Sequence, residues 1–275
     1  MGRVIAIVSG KGGVGKTTIT ANLGIALAKR NIKVCIVDAD IAMANLSLLL
    51  NMQSCPITLH DVLLGEASVQ DAIYDGPEGV KFIPSGLSLE NYRRVDPERM
   101  ETIISSIKNQ FDFILLDSPP GIERDVLAIM NAADEILLIT MPISPAVADV
   151  LKAKITAQRL GKKTTGVIIN MIMGEKGEIS DEDIMRMLEL PVYGLIPYDD
   201  EIRKSFLQEK VAPVIIRKPQ SPSSLAIQKT ASKLAGLPVV FENGKKQGFF
   251  SRLFSIFFRK KKQPQPEQAA KPKTK

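Results

Sequence analysis

A doubly wound α/β fold, a mostly parallel sheet flanked by helices, is the architecture this sequence predicts, with a C-terminal amphipathic helix and a disordered tail appended. Three observations lead there. Short runs of β-branched and apolar residues alternate with segments of helical spacing along the first 236 residues, the pattern of parallel strands joined by crossover helices. The first such run passes through a glycine-rich turn directly into a helical segment. Finally, a chain of 275 residues with 45% hydrophobic content can bury a large core without disulfides or a structural metal.

The elements follow in order. Arg3 to Ser9 (RVIAIVS) reads as a buried strand, and Thr18 to Lys29 puts Ile19, Leu23, Ala26 and Leu27 on one helical face. Further buried strands are expected at Lys33 to Asp38, Val80 to Pro84, Asp112 to Asp117, Glu135 to Thr140, Thr164 to Asn170 and Val192 to Pro197. Helix starts are marked by Asp96 with Pro97, Ser144 with Pro145, Ser180 with Asp183 three residues on, and Ser221 with Pro222. There is no internal repeat, and composition breaks once, after about residue 236. The expected organisation is one domain over residues 1–236, a linker over 237–247, an amphipathic helix over 248–262 and a disordered basic tail over 263–275.

The turn after the first strand is the most specific signal. Gly10-Lys11-Gly12-Gly13-Val14-Gly15-Lys16-Thr17-Thr18 fits the template G-x-x-x-x-G-K-[ST] and adds a second lysine. Glycines let successive N–H groups point inward, and the following helix directs its positive end to the same point, so the loop is built to bind polyphosphate. Lys16 is expected at the terminal phosphates and the Thr17 hydroxyl in a Mg²⁺ shell. Gly10, Gly12 and Gly15 also spell G-x-G-x-x-G, with Asp38 closing the next strand where a dinucleotide fold keeps its ribose acid. That second reading has no use for the Lys16-Thr17 pair or for Asp117.

Ligands of such sheets bind beyond the carboxyl ends of the strands. Asp38, Asp40, Asp117, Asn170 and Pro197 all lie there, and Asp117 follows four apolar residues, the usual setting for a Mg²⁺-site carboxylate. Other classes of function are disfavoured. Cys35 and Cys55 have no metal-ligand or CxxC spacing, and His60 beside Asp61 suits a capping or solvated role at a helix start. No apolar stretch reaches about 18 residues, and no signal-type segment precedes the first strand, so the body is expected to be cytoplasmic. Residues 1–241 carry a net charge of −2 and residues 242–275 one of +8. The pI of 9.2 therefore belongs to the tail, and nucleic-acid binding by the globular surface is not expected.

The loop with Lys11, Val37-Asp38-Ala39-Asp40, Leu116-Asp117-Ser118-Pro119-Pro120-Gly121 and Ile196-Pro197-Tyr198-Asp199 together resemble the deviant Walker A ATPases, and within them the MinD cell-division branch. The resemblance covers about residues 2 to 236 and resumes in the tail. It implies a P-loop fold, ATP and Mg²⁺ as ligands, and a homodimer formed across bound ATP, with Lys11 crossing to the nucleotide of the second subunit. The loop residues Gly10 to Thr18 would hold the phosphates. Asp40 would position or activate the attacking water, with Asp38 and Asp117 supporting the Mg²⁺ held by Thr17. Asn170 would contact adenine, the Pro197-Tyr198-Asp199 loop would close over the base, and Asp149 would lie on the dimer face. Without such a partner Lys11 is an ordinary exposed loop lysine. Met171 after Asn170 and Ala148 before Asp149 depart from the bacterial pattern, which leaves the regulator unidentified. Three other readings remain: a ParA-type DNA-segregation ATPase, a flagellar-number regulator, and a nucleotide-dependent scaffold with negligible turnover.

The tail adds a second expectation. In Gly248 to Lys262 (GFFSRLFSIFFRKKK), Phe249, Phe250, Leu253, Phe254, Ile256, Phe257 and Phe258 fill roughly 200° of a helix, with basic residues flanking them. Burial of large side chains at about 1.5–3 kcal/mol each is offset by folding entropy and partial insertion, while each nearby Lys or Arg adds about 1 kcal/mol at anionic lipid. One copy should bind moderately and two on a dimer far better. The expectation is reversible, peripheral attachment to the inner face of the cell membrane. Packing on its own domain, or on a protein partner, is the alternative. Residues 263–275 lack the apolar content to fold.

Overall fold

The computed structural model describes residues 2–86, 93–208 and 211–238. The expected membrane residues Phe249, Phe250, Leu253, Phe254, Phe257 and Phe258, and the tail beyond them, lie outside the described residues.

Eight strands form one sheet: β1 (Arg3–Val8), β2 (Val34–Asp38), β3 (Tyr74–Asp75), β4 (Lys81–Ile83), β5 (Phe113–Asp117), β6 (Glu135–Thr140), β7 (Lys163–Ile172) and β8 (Val192–Pro197). Their order is β3-β4-β2-β5-β1-β6-β7-β8. Every pairing is parallel except β3 with β4. The described helices are α1 (Lys16–Ala28), α2 (Leu46–Leu49), α3 (Leu59–Leu64), α4 (Met100–Ile107), α5 (Arg124–Ala132), α6 (Ser144–Arg159), α7 (Asp181–Leu188), α8 (Asp200–Ser205), α9 (Val214–Arg217) and α10 (Pro222–Ala235).

Alternate strand residues feed two cores, as the two-residue period requires. Val4, Ala6, Val37, Ile114, Leu116 and Leu138 pack on one face with residues of α3 to α7. Ile5, Ile7, Ile36, Leu115, Leu137 and Ile139 pack on the other with α1 and α10. The winding reverses around the centre: α1 carries the chain from β1 to β2 on one face, and α5 carries it from β5 to β6, across β1, on the other. A reversal of this kind opens a crevice at the carboxyl ends of the central strands.

The expected strands are all present, with ends shifted by a residue or two. β3 was not expected; it is a two-residue antiparallel edge with no apolar period to betray it. The first helix starts two residues before the apolar pattern does, because Gly15 in a left-handed conformation (φ 84) turns the chain into it. Lys16 and Thr17 are thereby first-turn residues whose N–H groups have no helical acceptor. Asp96 caps a short 3₁₀ turn at Pro97–Arg99 that leads into α4, and Ser180 and Ser221 cap α7 and α10. Ser144 is the first helical residue of α6 instead of its cap. His60 neither caps nor faces solvent: Asp61 does the capping, accepting from Thr58 N–H and Oγ1 at 2.7 Å, while His60 turns inward and is 1% exposed.

Candidate functional site

The glycine-rich loop joins β1, the buried central strand, to α1, so it lies at the crevice. Gly15 needs its lack of a side chain twice over: its φ is 84°, and a Cβ there would meet Asn170 Nδ2 at 2.4 Å. Asn170, near the end of β7 and 3% exposed, donates from Nδ2 to Val14 O at 2.8 Å. It braces the loop from the side. On the opposite flank a Cβ on Gly10 would fall 2.2 Å from the backbone carbonyl of Asp149, so α6 is seated directly on the loop. Asp149 itself pairs with Lys152 at 3.1 Å.

Beneath the loop, β2 and β5 run in register, which sets Asp38 beside Asp117. Both are buried. Asp117 Oδ1 accepts from Lys16 Nζ at 3.1 Å and from Thr20 Oγ1 at 2.9 Å. Asp38 Oδ2 accepts from Leu46 N–H at 3.1 Å. The remaining oxygens, Asp38 Oδ1 and Asp117 Oδ2, are buried and have no hydrogen-bond partner among the described residues. Burial, and then the neighbouring Asp117 charge, push the Asp38 carboxyl well above the usual carboxylate range. Asp40, half-buried, accepts from Met43 N–H at 2.9 Å, and burial raises its pKa as well.

Two orphaned oxygens in a buried acidic pair call for a cation or donor. The donor set is oxygen only, carboxylates plus the half-buried Thr17 hydroxyl, which suits a hard ion such as Mg²⁺. The first-turn N–H groups of α1 and the Lys16 ammonium supply an anion site above them. Thr18 shares that first turn. Lys11 is half-buried, and among the described residues no carboxylate lies within ion-pair distance of its ammonium.

The other expected contacts are more dispersed. Tyr198 is exposed and its hydroxyl donates to Asp200 at 3.1 Å, while Tyr198 N–H ties the end of β8 to Ile172 O at 2.9 Å. Asp199 caps α8 through Glu201 N–H and also accepts from Ser223 Oγ at 2.7 Å. Burial opposes its ionisation, but the hydrogen bonds from Ser223, Glu201 and Ser221 outweigh it and hold its pKa below the ordinary value. Pro197 ends β8, the edge strand, at the carboxyl end of the sheet where the loop also lies. Met171 adopts a left-handed conformation (φ 57), which breaks the β7–β8 register after Ile169. Next to it a recess of about 410 Å³, lined by Met141, Pro142, Ile143, Met171 and Met173, opens beyond β6 and β7.

Sequence reasoning missed Thr20 and the backbone donors of Leu46 and Met43. Thr20 was within reach, since a residue four after Lys16 on a helix shares its face. The two N–H donors depend on how the segment after β2 folds back, which no local pattern encodes.

A glycine-rich loop between a central parallel strand and a helix, with its lysine on a strand-end aspartate, defines a P-loop nucleotide-binding protein. Residues 5–214 match the CobQ/CobB/MinD/ParA nucleotide binding domain, and the chain belongs to that family. An uncharacterized ATP-binding protein of Methanocaldococcus jannaschii is 41% identical over 94% of this chain and 97% of its own length. The cell division ATPase MinD of Pyrococcus furiosus superposes with a TM-score of 0.82 at 40% identity, over 86% of this chain and 100% of that one. The septum site-determining protein MinD of Pyrococcus horikoshii, complexed with Mg-ADP, gives 0.81 at 37%, over 85% and 96%. Family membership decides between the two readings of the glycines in favour of the phosphate loop, and the likeness within the family is to MinD.

Proposed function

We propose that this chain is a Mg²⁺-dependent ATPase that pairs with a second copy across bound ATP, attaches reversibly to anionic membrane as that pair, and positions cell-division or other surface machinery. The observation that carries the ATPase reading is the buried Asp38–Asp117 pair, with two oxygens orphaned among the described residues and the Lys16 ammonium on Asp117. The Mg-ADP complex of the Pyrococcus horikoshii relative supports the same ligands here.

Thr17, with Asp38 and Asp117 behind it, would hold the ion, which when bound neutralises charge on the phosphate oxygens. Gly10 to Thr18 cradle the phosphates through backbone N–H groups. Lys16 exchanges part of its contact with Asp117 for phosphate oxygen. Asp40, with its raised pKa and position at the mouth of β2, orients the attacking water and accepts its proton. Lys11 acts on the nucleotide of the second copy, in the logic of an arginine finger worth about 10³ to 10⁵ in rate. Asn170 and the Pro197–Asp199 segment contact the base, and a regulator or cargo protein, not yet identified, acts on the pair.

Membrane attachment rests on the amphipathic phenylalanine-rich stretch of the sequence and localises the protein to the cytoplasmic face. The test is liposome sedimentation with ATP, ADP or no nucleotide, comparing the full chain with one ending at residue 241. ATP-dependent pelleting of the full chain alone is expected. Equal pelleting of both chains in all three states rejects the coupling.

A further inference from the structure

The turn that presents Asp40 is held at two points. On one side Ala39 N–H donates to Asp117 O at 3.0 Å, which fixes the turn to the sheet. Within it Ile41 N–H bonds to Ala39 O at 3.0 Å, and Met43 N–H to the Asp40 carboxylate at 2.9 Å. On the other side Ile41 O lies 2.9 Å from His60 Nε2. A carbonyl only accepts, so this contact puts the imidazole proton on Nε2 and leaves Nδ1 as a lone pair.

Nδ1 is buried and has no hydrogen-bond partner among the described residues. The backbone of Gly86 presses against that edge of the ring, for a Cβ there would sit 2.2 Å from Nδ1. The helix that carries His60 is itself fixed: Leu59 N–H donates to Pro84 O at 2.8 Å, and the Thr58–Asp61 cap closes its first turn. Burial lowers the pKa of His60, which favours the neutral ring, and the Ile41 carbonyl then selects the tautomer with its proton on Nε2. A leucine would fill the same space with no orphaned nitrogen. The bond to Ile41 is what the imidazole adds.

We propose that His60 is a positioning residue for ATP hydrolysis: its Nε2–H clamps the carbonyl of Ile41 and so sets where Asp40 stands. The inference rests on the role given to Asp40 above. His60→Leu removes the donor at similar volume, and His60→Gln returns an amide N–H close to the place of Nε2. For the full chain, H60L should lower kcat on the order of tenfold to a hundredfold, with Mg-ADP affinity within about twofold. H60Q should recover most of the rate.

Because His60 acts through Asp40, H60L added to D40N should cause no further loss, as expected of coupled positions. In nucleotide-free H60L, amide hydrogen exchange should quicken across residues 39–44. Additive losses in the double variant, or unchanged kcat and exchange in H60L, overturn the proposal. Should H60L not fold, H60Q against H60N carries the same comparison, since the shorter asparagine amide does not reach Ile41 O. If D40N turns over at the wild-type rate, the catalytic reading of Asp40 fails by itself, and the exchange measurement still decides whether His60 holds the turn.

Discussion

Lys16 and Asp38 pull the stability of the site in opposite directions. Lys16 is buried and touches one carboxylate of an acidic pair, so its removal leaves two buried carboxylates without that cation. Breaking a buried pair from one side costs about 3–5 kcal/mol. Lys16→Ala should therefore lower the unfolding free energy of the nucleotide-free protein, read from urea melts, by an amount near the bottom of that range, since a carboxyl can take up a proton. It should also abolish binding of a fluorescent ADP analogue. Asp38→Asn should do the reverse to stability. Asp38 is driven toward its protonated form by burial and by Asp117, so its ionised form is a liability at neutral pH. The variant should melt higher without nucleotide and bind Mg-ADP more weakly, which calorimetry and a thermal melt can check together.

Among the elements, β6 is anchored at the end of the sheet away from the site. Glu135, on its first residue, accepts from Arg3 Nε at 2.8 Å and from Thr165 Oγ1, with Lys163 close by. The hydrogen bond from Arg3, working against burial, and then that from Thr165 hold its pKa below the ordinary value. A carboxyl depressed on folding adds stability above its unfolded pKa, near 4.3, and loses it as pH falls through the folded value. Glu135→Gln should cost about 2 kcal/mol at pH 7, from loss of charge-assisted hydrogen bonds. The difference from wild type should shrink to nothing in strong acid, as denaturant melts across pH would report. The seat of α6 gives a second prediction. Gly10→Ala places a methyl group on the Asp149 backbone, and with no flexible side chain to yield it should cost about 3 kcal/mol or more. Nucleotide affinity should fall with it.

At the scale of the whole molecule, a ligand that binds only the folded state raises stability by mass action. Mg-ADP at a hundred times its Kd should add about 2.7 kcal/mol, and none in Lys16→Ala. Differential scanning fluorimetry distinguishes the two. Most of this architecture was legible because β1, β2, β5 and β6 are covered on both faces and so are continuous apolar runs. Asp38 and Asp117 were legible as acids that end such runs. The start of α1 was not, because Lys16, Thr17 and Thr18 carry no apolar signal and the helix is set by a glycine conformation. His60 beside Asp61 looks like a cap; only the tertiary packing of α3 against the segment after β2 turns it inward. Thr20 and the orphaned oxygens likewise exist only once two strands and a helix converge.

The seating of Gly10 on Asp149 has a mechanical consequence. Helix α6 is a sixteen-residue rod about 24 Å long, and its Lys154 is fastened to Glu189 at the end of α7 at 3.1 Å. A few tenths of an ångström of travel in the phosphate loop has no slack to absorb it at that contact. Any such travel toward α6 would have to be taken up by the backbone of the helix itself, because nothing flexible stands between the two.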